Sequence, residues 1–264
     1  MILTIDIGNT YIRLGAAEKK EVLFLERIST NTLKTDLEYS VDILGAFRLH
    51  DIDLRRVEGA ILASVVPDLE DVLGRTVERI FRFRPVIVKA GTQNILKVDI
   101  DHPEELGANL IINAAAAFSE YGGPVIVIDL GTATSIGAVT KEGVYKGGAI
   151  LPGVQTALSA LAGGTAQLPE LSVDAPLTVL GRNTPASMNG GTVYGNAGMI
   201  DGVLTRMEKE LMSGENAPEN VRIIATGKPA GILCPYLRHR VLRDDFLPMK
   251  GLSYIYYASK GVLL

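Results

Sequence analysis

The sequence contains no tryptophan and only one cysteine, and both shortages narrow the range of functions. Only 6% of its 264 residues are aromatic, which argues against the stacking platforms that bind single-stranded nucleic acids. The one cysteine, Cys234, has no partner for a disulfide within the chain, and disulfides are rare in the cytosol. We therefore expect a cytoplasmic protein that does not bind nucleic acid.

Charge and hydropathy exclude further classes of partner. The formal net charge is −4, without the basic block that nucleic-acid-binding chains carry. No stretch approaches the roughly 18–20 apolar residues of a membrane-spanning helix. The chain opens on MILTIDIGNT, an alternating apolar strand that Asp6 interrupts, so we expect neither a targeting segment nor a membrane partner.

An internal repeat is the strongest sign of how the chain is organised. Residues 2–8 read ILTIDIG and residues 125–131 read VIVIDLG, so two β-branched strands both end in Asp-x-Gly. In each copy a second strand follows a tight turn, in NTYIRLGAA at 9–17 and in TATSIGAVT at 132–140. A repeat at about half the chain length predicts two similar lobes, each opening with a three-stranded meander.

Helical periodicity after the first meander predicts an α/β lobe. Residues 35–49 place apolar side chains at helical spacing, and Pro103 suits the first position of a helix that continues through NAAAAF. From the repeat we expect an N-terminal lobe at 1–118 and a C-terminal lobe at 119–264. Because ligands of such folds bind where strand ends face each other, we also expect a cleft between the lobes. The apolar residues at helical spacing in 35–49 are Leu37, Val41, Leu44 and Phe47.

Asp6 and Asp129 each end a strand, and each is followed by a glycine turn with small polar residues. The backbone N–H groups of such a turn can wrap phosphate oxygens. A carboxylate at the strand end can hold a cation or a metal-bound water near them. One motif of this kind could equally be a hairpin turn with an aspartate cap. Two copies at equivalent places in a duplicated fold favour a two-lobed phosphate clamp.

Two other glycine-containing segments have open interpretations. GGAILPG at 147–153 could line the cleft or merely turn a corner. TGKP at 226–229 lacks the glycine spacing, and the Ser/Thr after lysine, that a Walker A motif requires. We interpret it as a strand–turn–helix junction, at a place that suits a turn near a nucleotide base.

Six motifs occur in order along the chain. They are DIGNT (6–10), SVVP (64–67), PEELGAN (103–109), DLGTAT (129–134), GGAILPG (147–153) and GRNTPASMNGGTVYGNAGMIDG (181–202). In this order they resemble the type III pantothenate kinases, which belong to the superfamily of acetate and sugar kinases, heat-shock chaperone ATPases and actin. The resemblance extends over essentially the whole chain. It implies an α/β fold of two duplicated ribonuclease H-like lobes, the actin-like ATPase fold.

The resemblance also implies an activity. It is the ATP-dependent phosphorylation of pantothenate to 4′-phosphopantothenate, the first step of coenzyme A biosynthesis. The implied cofactors are ATP, Mg²⁺ and a monovalent cation, K⁺ or NH₄⁺. Family members are homodimers, with the acceptor site near the subunit interface, so a homodimer is the implied assembly here.

Individual residues receive roles from the resemblance at matching positions. The first turn, from Asp6 to Arg13, would contact the ATP phosphates, and Asp6 would bind Mg²⁺ through water. Asp129 would bind the monovalent cation. The other implied ATP contacts are Gly8, Asn9, Thr10 and Thr132, and the implied acceptor positions are Ile100, Gly107, Ala108, Asn109, Leu110 and Thr184.

The acceptor side departs from the family pattern. The family has a tyrosine and then Gly-Ala-Asp-Arg, where this chain has Ile100 and then Gly-Ala-Asn-Leu at 107–110. The family's aspartate is the expected general base. An asparagine amide cannot take the hydroxyl proton, although it can orient an alcohol by hydrogen bonding. Leu110 removes a charge and is expected to form an apolar i, i+4 pair with Leu106. We expect a weakened kinase in which Asn109 orients the acceptor.

Two other functions stay open on the sequence. The chain could be a kinase that keeps the ATP clamp and uses another acceptor, or a non-catalytic or regulatory paralogue acting in a heteromer with an active homologue. We interpret Asp101, Glu104 and Glu105 as solvated side chains and His102 as a helix N-cap, so none of them replaces the base. Thr184 likewise suits an N-cap before a proline, which leaves its hydroxyl available to a ligand.

Overall fold

The computed structural model describes residues 1–212 and 220–262. Contacts between Cα atoms divide the chain into unit 1, which is Met1–Glu120 with the chain from Phe246 onward, and unit 2, which is Tyr121–Asp245. The described strands are β1 (Ile2–Ile7), β2 (Tyr11–Glu18), β3 (Glu21–Ser29), β4 (Gly59–Ser64), β5 (Val86–Ile87), β6 (Lys97–Val98), β7 (Val125–Leu130), β8 (Ala133–Val139), β9 (Val144–Pro152), β10 (Arg222–Thr226) and β11 (Leu242–Arg243). The described α-helices are α1 (Asp36–Leu49), α2 (Pro67–Phe81), α3 (Ala108–Tyr121), α4 (Val154–Gly163), α5 (Thr184–Leu211), α6 (Ala230–Leu233) and α7 (Leu247–Ser259).

Both units are built on the same sheet plan, as the repeat predicted. In unit 1, β1, β2 and β3 form an antiparallel meander, while β4 lies parallel to β1 and β5 parallel to β4. In unit 2, β7, β8 and β9 form the equivalent meander, and β10 lies parallel to β7 with β11 beside it. The order is β3-β2-β1-β4-β5 in unit 1 and β11-β10-β7-β8-β9 within unit 2. The α/β class and the duplicated meanders are therefore confirmed.

Helix α1 forms where the periodicity predicted it, and three of the four residues that carry that periodicity lie exposed. A capping box starts the helix: the Thr35 side chain caps Glu38 N–H and the Glu38 carboxylate accepts from Thr35 N–H. Leu37, Val41 and Leu44 are 54%, 62% and 39% exposed. The buried face instead carries Tyr39, Ser40, Ile43, Ala46 and Phe47. Both faces have helical spacing, and packing against β3 and α2 selects the one with the aromatic rings.

The helix predicted from Pro103 onward is interrupted. Pro103–Glu105 forms only a 3-10 turn with His102 at its N-cap position, as predicted, though without a side-chain cap bond. Leu106 is extended, and α3 begins after it at Ala108. Leu106 and Leu110 therefore do not lie one turn apart on a helix, and the apolar pair expected between them was a wrong prediction. The Gly107 carbonyl accepts the first helical N–H groups, which makes this glycine the start of α3.

Unit 2 places a hydrophobic cluster on one face of its sheet. Ile128, Ile136 and Ala225 are register partners and belong to this cluster, which also includes Ile200 and Leu204 of α5. Helix α5 is a single helix of 28 residues. Its N-cap is Asn183, whose side chain accepts from Ala186 N–H, so the prediction that Thr184 is the N-cap was wrong.

The last helix packs on the first unit. The Thr4 hydroxyl of β1 donates to the Met249 sulfur at 3.2 Å, and Ser253 donates to the Lys19 carbonyl at 2.5 Å. The sequence had placed all of 119–264 in one lobe, whereas these contacts group α7 with unit 1. A β-meander does not reveal which sheet a later helix will cover. None of the helices in the described part of the chain is both long and apolar enough to cross a membrane.

Hydrogen bonds to Asp201 connect α5 to the segment at 238–239. Its carboxylate accepts from the backbone N–H of Arg238 at 3.0 Å and of His239 at 3.2 Å, and its Oδ1 lies 2.7 Å from the His239 ring nitrogen Nδ1. The other ring nitrogen lies 3.3 Å from Glu208. Burial raises the pKa of Asp201, but the hydrogen bonds from His239 and the backbone outweigh it, so the pKa is lowered overall.

Substitution of Gly251 by alanine should destabilise the fold, because a Cβ there would stand 2.0 Å from the Ile112 carbonyl oxygen of α3. We expect a loss of about 2 kcal/mol or more from overpacking. Gly45→Ala is the matched control: this helical glycine has nothing within 4 Å of its Cβ position, so alanine should stabilise by about 0.5–1 kcal/mol. Urea unfolding of both variants measures this, and equal effects would contradict the close packing of α7 on α3.

Asp201→Asn should destabilise the chain at neutral pH more than in acid. Because the pKa is lower in the folded chain, the ionised carboxylate stabilises the fold above its ordinary pKa of 3.8, and this contribution is lost as the pH falls through the folded-state pKa. The gap in urea midpoint between the natural chain and Asp201→Asn should therefore stay wide from pH 7 to about 5 and narrow as the pH is lowered below 3.8. The exposed Glu170→Gln is the control, and a gap constant with pH would argue against a role for the charge.

Candidate nucleotide and acceptor site

The first Asp-Gly turn joins β1 and β2 and closes with backbone hydrogen bonds. Gly8 N–H donates to the Tyr11 carbonyl at 3.0 Å, and the Thr30 hydroxyl donates to the Gly8 carbonyl at 2.6 Å. Asn9 and Thr10 lie exposed at the tip. Thr30, which follows β3, thus contacts the base of the turn. The tip of the turn is a small polar surface of the kind that accommodates phosphate.

Asp6 and Arg13 face each other across β1 and β2. They are register partners, and Arg13 Nη1 lies 2.5 Å from Asp6 Oδ2. Asp6 is only 3% exposed, while Arg13 is partly exposed. A nearly buried carboxylate thus lies beside a guanidinium at the base of the turn, and the guanidinium offers further donors in a rigid fork that suits phosphate oxygens.

The second Asp-Gly turn joins β7 and β8 and packs against Gly153, the residue that follows β9. Gly131 N–H donates to the Ala133 carbonyl at 3.0 Å, and Gly153 N–H donates to the Thr132 carbonyl at 3.2 Å. A Cβ on Gly153 would stand 2.3 Å from Gly131 O and 2.4 Å from Thr132 O. The Thr156 hydroxyl adds a hydrogen bond to Thr132 O at 2.6 Å. Gly153, the last residue of GGAILPG, therefore packs closely against the second turn.

Three polar side chains share one face of the unit 2 sheet at this edge. Asp129 pairs in register with Ser135 of β8 and with Thr226 of β10, and register partners point to the same face. All three are buried. The Thr226 hydroxyl has no hydrogen-bond partner among the described residues. The sequence analysis identified Asp129 but did not identify Thr226. The only feature that could have indicated Thr226 was its place at the end of the strand RIIAT, where the TGKP turn begins.

The acceptor positions of unit 1 lie at the start of α3. Asn109 is half-buried and is the second residue of the helix. A Cβ on Gly107 would stand 2.8 Å from Asn109 Oδ1, so the glycine makes room for the Asn109 side chain. Leu110 and Ile100 are half-buried rather than buried, and Ala108 is buried. In unit 2, Thr184 lies exposed in the first turn of α5.

The ionisable groups just before α3 remain at the surface. His102 Nδ1 lies 3.4 Å from Glu104 Oε1, and both side chains are mostly exposed. Glu105 lies beside them, also exposed. Their exposure agrees with the interpretation of these groups as solvated.

Comparison with known proteins decides the family. The family model for type III pantothenate kinase matches residues 2–206. A type III pantothenate kinase of Geotalea daltonii is 36% identical over 260 residues, covering 98% of this chain and 99% of the relative. One of Myxococcus xanthus is 38% identical over 258 residues, covering 97% and 98%. The chain belongs to the type III pantothenate kinase family.

The solved structure of a ROK hexokinase from Thermus thermophilus has the same fold. It superposes with a TM-score of 0.53 over 98% of this chain and 99% of the hexokinase, at 13% sequence identity. At that identity the likeness concerns the fold alone. The actin-like ATPase fold, with sugar kinases among its members, is thereby confirmed for this type III pantothenate kinase family member.

The residues of both turns fit the cofactors that a kinase of this family implies. Mg²⁺ binds through one or two carboxylates together with waters and substrate phosphates, and Asp6 supplies one carboxylate beside the first turn. A monovalent cation such as K⁺ replaces its hydration shell with oxygen ligands. The buried carboxylate of Asp129 and the partnerless buried hydroxyl of Thr226 are oxygen donors on one face.

Arg13→Met should separate the structural and the binding roles of the Asp6–Arg13 pair. Alone, it leaves the Asp6 carboxylate buried without its guanidinium, and we expect a loss of about 3 kcal/mol, the lower end for a buried pair. The double variant Asp6→Asn/Arg13→Met should recover most of that stability, because no lone charge is left behind. Neither variant should bind ATP, as measured by titration calorimetry.

The matched control is Arg75→Met, which removes an exposed arginine paired with Asp71 one turn away on α2. It should change stability by no more than about 1 kcal/mol and leave ATP binding intact. ATP binding by the double variant at the strength of the natural chain would show that the first turn is not a phosphate site.

Proposed function

We propose that this chain transfers the γ-phosphoryl group of ATP to pantothenate and forms 4′-phosphopantothenate. The observation that carries the proposal is the pair of Asp-Gly turns, each at the end of the first strand of its unit, in a chain of the type III pantothenate kinase family. Phosphoryl transfer depends mainly on positioning and on charge stabilisation. A chain that keeps both turns keeps the parts of the site that matter most.

On the nucleotide side, the turn from Asp6 to Arg13 binds the phosphates. The exposed tip, with Gly8, Asn9 and Thr10, supplies backbone and side-chain donors, and Arg13 supplies positive charge beside them. Thr132 contributes from the second turn. Asp6 would hold Mg²⁺ through water, and the ion would supply positive charge against the phosphates. Asp129 would hold the monovalent cation.

On the acceptor side, Asn109 orients the alcohol without taking its proton. Its side chain lies at the first turn of α3, where the positive end of the helix dipole favours negative charge on a nearby ligand. A general base contributes typically about 10²–10⁴-fold to a rate, so the chain should turn over more slowly than a relative with aspartate at this position. The other acceptor contacts are Ile100, Gly107, Ala108, Leu110 and Thr184.

The same departure supports a second candidate function, a kinase with the same ATP site and another acceptor. Asn109, Leu110 and Ile100 stand where the family pattern has an aspartate, an arginine and a tyrosine. All three side chains are uncharged. A non-catalytic paralogue in a heteromer would also account for this. Both candidates predict that ATP binds and that pantothenate is not phosphorylated.

We further infer that the chain works in the cytoplasm as a homodimer. Large apolar side chains lie exposed shortly before Thr184, at Leu177, Val179 and Leu180. Clustered exposed apolar residues are typical of interaction surfaces, and these lie next to an acceptor position. Their place supports an interface close to the acceptor site, as in the family.

Asn109→Asp should raise the rate of pantothenate phosphorylation, because it restores a group that can accept the hydroxyl proton. We expect an increase in kcat of about 10²-fold or more, with little change in KM for ATP. Asn109→Ala should lower kcat, since it removes the orienting hydrogen bond. A coupled assay of ADP release with Mg²⁺ and K⁺ measures both.

Asn31→Asp is the matched control, because Asn31 Oδ1 only accepts from Leu33 N–H, which an aspartate also does. It should leave the rate unchanged. Pantothenate is refuted as the acceptor if the natural chain and the double variant Asn109→Asp/Leu110→Arg both bind ATP and neither phosphorylates pantothenate. Rescue by that double substitution would instead identify a site that has decayed or that depends on a partner.

A further inference from the structure

We propose that the Thr226 hydroxyl is a second protein ligand of the monovalent cation held by Asp129. This inference rests on the proposed function, because that function supplies the cation site. It assigns to the end of β10 a role that neither the turn motifs nor the family comparison pointed to. The chemical class of the ligand is a monovalent cation that accepts neutral oxygen donors, such as K⁺ or NH₄⁺.

Strand register places Thr226 beside Asp129. The two residues are Cα partners in the parallel ladder of β10 and β7, and neighbouring strands in a sheet lie about 4.8 Å apart. Both lie at the carboxyl ends of their strands, so they share the edge of the sheet at which the second Asp-Gly turn begins. A ligand at that edge that contacts the Asp129 carboxylate is within reach of Thr226 Oγ1.

Thr226 is buried in a way that calls for a partner. It is 1% exposed, and its Oγ1 makes no hydrogen bond to any described residue. Buried hydroxyls in native proteins are almost always paired, and each exception needs an explanation, such as a role in binding an ion. Thr134 has a similar hydroxyl, but it pairs with Leu130 and so lies on the opposite face, with the hydrophobic cluster.

The charge of the neighbouring group decides what the ligand is. A phosphate oxygen that approached Thr226 would also approach the Asp129 carboxylate, and two negative charges repel at this range. A cation is attracted by the carboxylate and coordinated by the hydroxyl. Mg²⁺ prefers to keep several waters and near-ideal octahedral geometry, whereas K⁺ exchanges water for a set of protein oxygens.

The backbone fixes this hydroxyl in place. Gly227, directly after Thr226, has φ of +99°, and a Cβ there would stand 2.1 Å from the Leu130 carbonyl oxygen. The end of β10 is therefore locked against the end of β7 by a contact that only glycine permits. Asp244 N–H donates to the Ala225 carbonyl at 2.9 Å from the other side. Thr226 is thus held beside Asp129 whether or not a ligand is bound.

The test is a cation titration of the full chain, followed by thermal unfolding. KCl is titrated at constant ionic strength against choline chloride, in the presence of Mg²⁺ and a non-hydrolysable ATP analogue, and the apparent Kd for K⁺ is taken from the rise in Tm. We expect Thr226→Val, which keeps the shape and removes the oxygen, to raise this Kd at least tenfold. Thr226→Ser, which keeps the hydroxyl, should stay within about threefold of the natural chain.

Two further variants separate the proposal from a general effect on folding. Thr4→Val removes a buried strand hydroxyl in unit 1 and should leave the K⁺ titration unchanged. Asp129→Asn should abolish the response. In choline alone, Thr226→Val should unfold at the same temperature as the natural chain or higher, because the lost hydroxyl had no partner. A hydroxyl with a purely structural role would instead lower Tm under that condition.

Each remaining outcome overturns the inference in a distinguishable way. If Asp129→Asn abolishes the K⁺ response and Thr226→Val leaves it intact, the cation site stands and Thr226 is not a ligand. If Thr226→Val weakens binding of the ATP analogue equally with and without K⁺, its partner is the nucleotide. If the natural chain shows no K⁺ response while ATP binds, the monovalent cation is lost from the proposed function, and this inference is lost with it.

Discussion

The candidate site in unit 2 depends on two contacts at the end of β7 where no side chain fits. Gly153 lies against the carbonyls of Gly131 and Thr132, and Gly227 lies against that of Leu130. Any Cβ at either position would force the strands apart. These contacts bring the residues that directly follow β9 and β10 against the end of β7 and its turn. Asp129, Thr132 and Thr226 are positioned together because of them.

The two Asp-Gly turns share a backbone plan and differ in chemistry. In unit 1 the residue opposite the aspartate is Arg13, which lies against its carboxylate, whereas in unit 2 the residue opposite Asp129 is Ser135. A guanidinium beside the first turn suits phosphate, while a carboxylate among hydroxyls suits a cation. Under the proposed function, the duplicated scaffold would therefore supply a phosphate site in unit 1 and a cation site in unit 2.

The proposed acceptor side combines a helix that starts at a glycine with side chains that carry no charge. Gly107 starts α3 and leaves room for the side chain at 109. The side chain itself is an amide, and the next residue is leucine. Because positioning and charge stabilisation carry most of phosphoryl transfer, such a site can retain turnover without its base.

The sequence alone determined the duplicated meanders, the two glycine turns, the family and the candidate positions carried over from it. Alternating strands and tight turns are set by local residue types, so they can be predicted from short windows. The tertiary structure decided which face of α1 is buried, that α3 begins only at Ala108, that Asn183 rather than Thr184 caps α5, and that α7 packs on unit 1. It also placed Thr226 beside Asp129. Each of these depends on contacts between residues far apart in the chain, and local propensity does not encode which distant surface an element will meet.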